Sequence, residues 1–173
     1  MKNCFTKFVF YANQEFDGTI YHGHAFNGKS LIATLQTINV HEAASFDTYE
    51  GYTVSEIVLH LAYCKYRVAK EILGNNGLEE YPFPIGVEGF YDIEKIDEGK
   101  WVSIVEYLKS IHKIAMNAIE DIDIQRIGNA IKEWDMSLEQ AIIWVCNHDT
   151  YHLAQIRNMN VPGMVKSKIK IRK

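Results

Sequence analysis

The chain has 173 residues, enough for one domain with a sizeable core and too few for two comfortable ones. It is 47% apolar and 23% charged with three prolines, a profile that excludes disorder as the default state. The formal net charge is −4, and the last eight residues hold five of the 18 Lys+Arg; the remainder therefore carries 13 against 22 Asp+Glu, which opposes broad binding to a phosphate backbone.

At the N-terminus, Phe5, Phe8, Val9 and Ala12 fall at helical spacing, so Phe5 to Phe16 reads as a further short helix beside the main ones. This end lacks a signal peptide's order of basic residues, apolar core and small cleavage site. No run of 18 or more apolar residues occurs, so a cytoplasmic location without a membrane span is expected. Four main helices are predicted. The first covers about 28–38, with Leu31, Ile32, Leu35 and Ile38 on one face. The second covers 53–73. It opens on Thr53-Val54-Ser55-Glu56, a capping box whose hydroxyl and carboxylate satisfy free amide donors, and Gly74-Asn75-Asn76-Gly77 closes it.

A Gly/Pro/aromatic stretch from Gly74 to Gly99, containing Tyr81-Pro82-Phe83-Pro84, then reads as a long ordered connection. The third helix, about 100–122, has the clearest apolar stripe: Trp101, Ile104, Val105, Leu108, Ile111, Ala115, Ala118 and Ile119. The fourth, 137–159, starts at a second capping box, Ser137-Leu138-Glu139-Gln140, and Asn160-Val161-Pro162-Gly163 stops it. Strand-like alternation is confined to pieces such as Ile169-Lys170-Ile171. Four helices with one apolar face each must bury those faces against one another. The expected fold is all-α, a four-helix bundle forming a single domain, with a long connection between helices two and three and a basic tail over 164–173. A short basic tail is more often a solvated terminus than a nucleic-acid or membrane contact.

Along the fourth helix the inward stripe runs Leu138, Ala141, Val145, His148, His152, Gln155, Met159, turning polar midway. A core excludes that change unless each polar group finds a partner. Two imidazoles one turn apart reach a single ion, but H-x-x-x-H alone does not separate ligation from a buried hydrogen-bonded pair. The second helix adds His60, beside Cys64 on the face marked by Ile57, Leu61, Val68 and Ile72. Three inward histidines on two helices are hard to explain without an ion. His148-Asp149-Thr150-Tyr151-His152 also resembles the zincin H-E-x-x-H, with Asp149 in place of the general base. Zincins take a further ligand downstream, however, and no His, Asp or Glu follows His152, so the third ligand has to come from upstream.

Three neutral imidazoles leave a divalent ion its full charge and at least one open position, an arrangement suited to catalysis. Zn, Ni, Fe and Mn all accept imidazole. Asp149 or Gln155 could hold a ring N–H, with solvent exposure as the alternative for Asp149, and Tyr63 or Tyr151 could donate a proton. His112 flanks the third helix's stripe as a possible fourth ligand. His22 and His24 form H-x-H in a loop, where unremarkable exposure is the commoner reading, and His41 is assigned nothing. Cys4, Cys64 and Cys146 are odd in number, far apart and without C-x-x-C, so buried free thiols are expected in place of disulfides or a Cys-based zinc site.

Val58-Leu59-His60-Leu61-Ala62 and His148-Asp149-Thr150-Tyr151-His152-Leu153-Ala154-Gln155-Ile156-Arg157 resemble the DinB/YfiT-like family of metal-dependent enzymes. Similarity extends through Tyr21-His22-Gly23 and Gly51-Tyr52-Thr53-Val54-Ser55, covering most of residues 21 to 157. The resemblance implies a four-helix bundle of unusual connectivity with a three-histidine metal site at His60, His148 and His152. Characterised relatives include S-transferases that use a low-molecular-weight thiol and a thiol-dependent maleylpyruvate isomerase. The functional expectation is thus a metal-dependent enzyme, S-transferase-like or hydrolase-like, acting on a small-molecule substrate. The rival is a non-enzymatic metal-binding or stress-response module. Bundles of this kind often pair through a spare helix face, which makes a homodimer the assembly to test.

Overall fold

The computed structural model describes residues 4–21, 23–26, 28–45, 51–74, 77–85 and 96–159. In chain order the helices are α1 (Thr6–Phe16), α2 (Leu31–Leu35), α3 (Val40–Ala43), α4 (Val54–Leu73), α5 (Glu98–Glu120) and α6 (Leu138–Asn158). Two short antiparallel pairs punctuate them. In one, β1 (His24–Ala25) sets His24 opposite Lys29 of β2 (Gly28–Lys29); in the other, β3 (Ala130–Ile131) sets Ala130 opposite Ser137 of β4 (Met136–Ser137). The all-α class is as expected, and α1, α4, α5 and α6 are the long helices among the described residues.

Side-chain caps set where the site-bearing helices begin. The Thr53 hydroxyl accepts from the Glu56 amide at 3.1 Å while the Glu56 carboxylate accepts from the Thr53 amide, so α4 starts where its capping box predicts. Ser137 and Gln140 do the same for α6, at 3.2 and 2.8 Å. Two further amides of the first turn are satisfied from the preceding loop: Leu138 donates to the Asn129 carbonyl and Glu139 to that of Ile127. The α5 start moves two residues upstream of the expected one, because Asp97 caps the helix by accepting from the Lys100 amide at 2.8 Å.

The predicted helix over 28–38 needs correction. Gly28 and Lys29 form β2, and the helix that follows lasts only five residues, from the Ser30 cap to Leu35. A new capping box, Asn39 with Glu42, then opens α3. Gly28 has a φ of +136°, outside helical space, and a Cβ there would stand 2.8 Å from both terminal nitrogens of Arg157 on α6. The fourth long helix is instead the N-terminal segment, where Phe5, Val9, Ala12 and Phe16 are buried.

The α4 helix packs against α5 and α6, and α1 packs against the same two, so the four surround one core. Ile57, Leu61 and Val68 of α4 meet Ile104, Leu108 and Ile111 of α5 there, and each buried Leu or Ile contributes about 1.5–3 kcal/mol. Within the connection after α4, residues 77–85 are tied down by aromatic packing. Tyr81 donates to the Leu59 carbonyl at 3.0 Å and meets Tyr63, Phe83 and Tyr107 edge-on at 5.3–5.8 Å. The rest of that connection (75–76 and 86–95), His22, the 160–163 stop and the basic tail lie outside the described residues. Among the described residues no helix is long and apolar enough to cross a membrane.

Candidate metal centre

Two helices build the site. With α4 fixed at Thr53, His60 falls two turns into it; with α6 fixed at Ser137, His148 and His152 fall one turn apart on its inner face. His148 and His152 are buried and His60 is half-buried. The three rings converge: His60 meets the other two nearly edge-on at 5.0 Å each, and the His148 and His152 centroids are 4.4 Å apart. One nitrogen from each ring forms a set lying within 4.8 Å of one another.

The His152 tautomer is set by its neighbour. Its Nδ1 lies 2.7 Å from Gln155 Oε1, an amide oxygen that only accepts, so Nδ1 carries the proton and in the neutral ring Nε2 is the accepting nitrogen. That Nε2 faces His148 Nε2 at 3.0 Å. His148 is held neutral as well. Burial first, then the neighbouring His152, His60 and Lys65, drives its pKa down to about 2. No described residue bonds His148 Nδ1.

This donor set fits a divalent ion. Two ligand atoms about 2.0–2.1 Å from one ion lie at most about 4.2 Å apart. The 3.0 Å pair meets that limit as it stands, and closing the wider set requires a movement of roughly half an ångström. All three donors are imidazole nitrogens, and burial holds His148 in the neutral form in which histidine ligates. Cys64 Sγ sits 3.7 Å from His60 Nε2, and burial pushes its thiol up to about 12.

The walls are aromatic. Trp144 lies 4.2 Å from the His148 ring, Trp134 meets Trp144 at 5.5 Å, and Tyr151, 59% exposed, stands edge-on to His152 at 4.9 Å. Tyr63 lies one turn beyond His60, where its hydroxyl accepts from Arg67 Nη1 at 3.1 Å. Of the two groups expected to hold a ring N–H, Gln155 does so.

Asp149 does neither thing expected of it. It is fully buried, which overturns the solvent-facing alternative, and both carboxylate oxygens bind Lys65 Nζ at 2.7 and 2.8 Å. His112 belongs to this second network and not to the metal cluster. Its Nδ1 is 3.7 Å from Asp149, its Nε2 bonds Asn13 at 2.9 Å, and its ring stacks on Phe16 at 3.6 Å. Burial, with Lys65 adding, holds its pKa well below the usual histidine range. His24 in β1 and His41 in α3 are exposed and outside the cluster. Cys64 and Cys146 are buried free thiols as expected, whereas Cys4 is exposed.

Sequence reasoning missed Lys65. The available signal was a charged residue inside an apolar stripe: Lys65 follows Leu61 by four and precedes Val68 by three, and Asp149 sits likewise between Cys146 and Leu153. Comparison with protein-family models, with curated proteins and with solved structures yields no match, so the three-histidine geometry stands as the functional evidence for this chain.

Proposed function

We propose that this chain is a metal-dependent enzyme of the DinB/YfiT-like kind acting on a small molecule, with His60, His148 and His152 holding one divalent ion. The observation that carries this reading is the facing pair of Nε2 atoms at 3.0 Å, one with its lone pair fixed by Gln155, joined by a third imidazole from the neighbouring helix. Bare nitrogens brought that close repel unless a proton or a cation lies between them.

An ion held by three neutral ligands supplies Lewis acidity at an open position, which can acidify a water or a low-molecular-weight thiol or polarise an electrophile. The chain's own groups then divide the remaining work. Gln155 orients His152 through Nδ1. Trp144 shields His148 on one side. Tyr151, exposed beside His152, is assigned to proton delivery through its phenol; Tyr63, whose hydroxyl is held by Arg67, is the alternative donor on the His60 side. Asp149 holds α6 against α4 through Lys65 and takes no part in proton transfer.

The test is an activity screen of the full chain, loaded in turn with Zn, Ni, Fe or Mn, against small electrophiles with and without low-molecular-weight thiols. Turnover that disappears on chelation and returns with metal is the expected result. No turnover with any pairing, together with a large fall in melting temperature on chelation, would assign the ion to stability and favour the non-enzymatic module.

A further inference from the structure

Further along α4 from His60 lies a cleft of about 590 Å³ lined by Tyr63, Tyr66, Arg67, Lys70, Tyr81 and Glu133 among others. Arg67 occupies a built position there. Its guanidinium lies over the Trp134 ring at 5.5 Å and the Tyr63 ring at 5.9 Å, and it donates to the Tyr63 hydroxyl. Stacking of this sort fixes the plane of the fork, and its edge is the part of a guanidinium that takes a carboxylate.

Two paths connect this guanidinium to the cluster. Along α4, Arg67 is seven residues beyond His60, two turns on the same face, or about 10.5 Å of helix rise. Across the wall, the run Arg67, Trp134, Trp144, His148 proceeds by contacts of 5.5, 5.5 and 4.2 Å. The cation and the histidines are therefore linked by flat aromatic rings.

Arg67 already holds a carboxylate. Its Nη2 binds Glu133, whose side chain is 67% exposed while that of Arg67 is 18% exposed. An exposed partner contributes little to such a pair, so a ligand carboxylate can take its place. Glu71 and Glu80 also line the cleft and oppose a second negative charge.

From this arrangement we infer that Arg67 is the anchor for a monoanionic organic carboxylate with a flat apolar body, and that Glu133 occupies the same guanidinium edge until the ligand arrives. As a substrate class the inference rests on the metal-enzyme reading above; as a binding site it does not.

The experiment is calorimetric titration of the full chain with benzoate, using benzamide as the uncharged control and tryptophan fluorescence as a second readout from Trp134 and Trp144. Expected are saturable benzoate binding, no benzamide binding, at least tenfold weaker benzoate binding in Arg67→Met, and severalfold tighter binding in Glu133→Gln. The last change is at an exposed side chain and keeps the test valid if Arg67→Met folds poorly. Equal affinity in wild type and a folded Arg67→Met, or unchanged or weaker binding in Glu133→Gln, overturns the proposal. In a His148→Ala/His152→Ala variant benzoate binding should persist, and its loss there would move the anchor to the histidines and also overturn it. Failure of the metal reading is seen separately, as wild-type protein that binds benzoate but retains no metal.

Discussion

The same two helices carry two polar clusters through one apolar core, and they are finished differently. Lys65 and Asp149 neutralise each other by a bidentate contact with no solvent access, and His112 closes the group with Asn13 and Phe16. One residue away along α6, His148 faces His152 nitrogen to nitrogen with no charge of either sign between them. In charge the first cluster is complete from the protein's own side chains, although His112 Nδ1 makes no hydrogen bond among the described residues. The second brings three imidazoles to metal-ligand spacing with no carboxylate in the set and is incomplete in that sense, and that difference separates a structural buried pair from a candidate binding site.

The largest effect should come from unbalancing the complete cluster. Lys65→Met or Asp149→Leu alone strands a buried charge and should cost about 3–5 kcal/mol in urea unfolding, whereas the double variant should recover most of that loss. A double variant as unstable as the sum of the singles would mean that the pair does more than neutralise itself.

A smaller effect should come from loosening the incomplete cluster. Gln155→Leu removes the acceptor on His152 Nδ1, and metal affinity measured by competition with a chelator should fall about 10- to 100-fold with little change in the unfolding of metal-free protein. Unchanged affinity would show that the tautomer is set by another group.

A pH-dependent effect is one that both clusters share. His148 and His112 have folded pKa values depressed by burial, so below about 6.5 the unfolded chain binds protons that the folded chain does not. Stability is therefore full above that pH and falls as pH drops, by about 1.4 kcal/mol per unit for each histidine. For His148 the loss continues towards pH 2. Melting of metal-free protein between pH 7 and 5 should show the slope, and His112→Gln should reduce it by about half. A flat profile would mean that the folded chain takes up as many protons as the unfolded one over this range.

Most of this architecture was legible where local chemistry decides the structure. The Thr53–Glu56 and Ser137–Gln140 boxes fixed two helix starts, and thereby the phase of all three metal-site histidines, from four residues each. The 28–38 stretch misled because its apolar spacing is helical while Gly28 pairs with Ala25 and Asn39 opens a new capping box. The complete cluster was hidden for a different reason. Lys65 and Asp149 are 84 positions apart, and a pattern read along one helix cannot show that a charge in its stripe has a partner on another. Gln155 was readable because its partner lies three residues away. The tryptophan wall and Arg67 depend on contacts between α4, α6 and the β3–β4 turn, so nothing local announced them.

The most direct measurement is the metal content of purified protein, wild type against His148→Ala/His152→Ala, after dialysis in the presence of a divalent ion. Close to one ion per chain is expected in the wild type and loss of that ion in the variant, with the Lys65→Met/Asp149→Leu protein retaining it. Equal metal content in wild type and the histidine variant would contradict it.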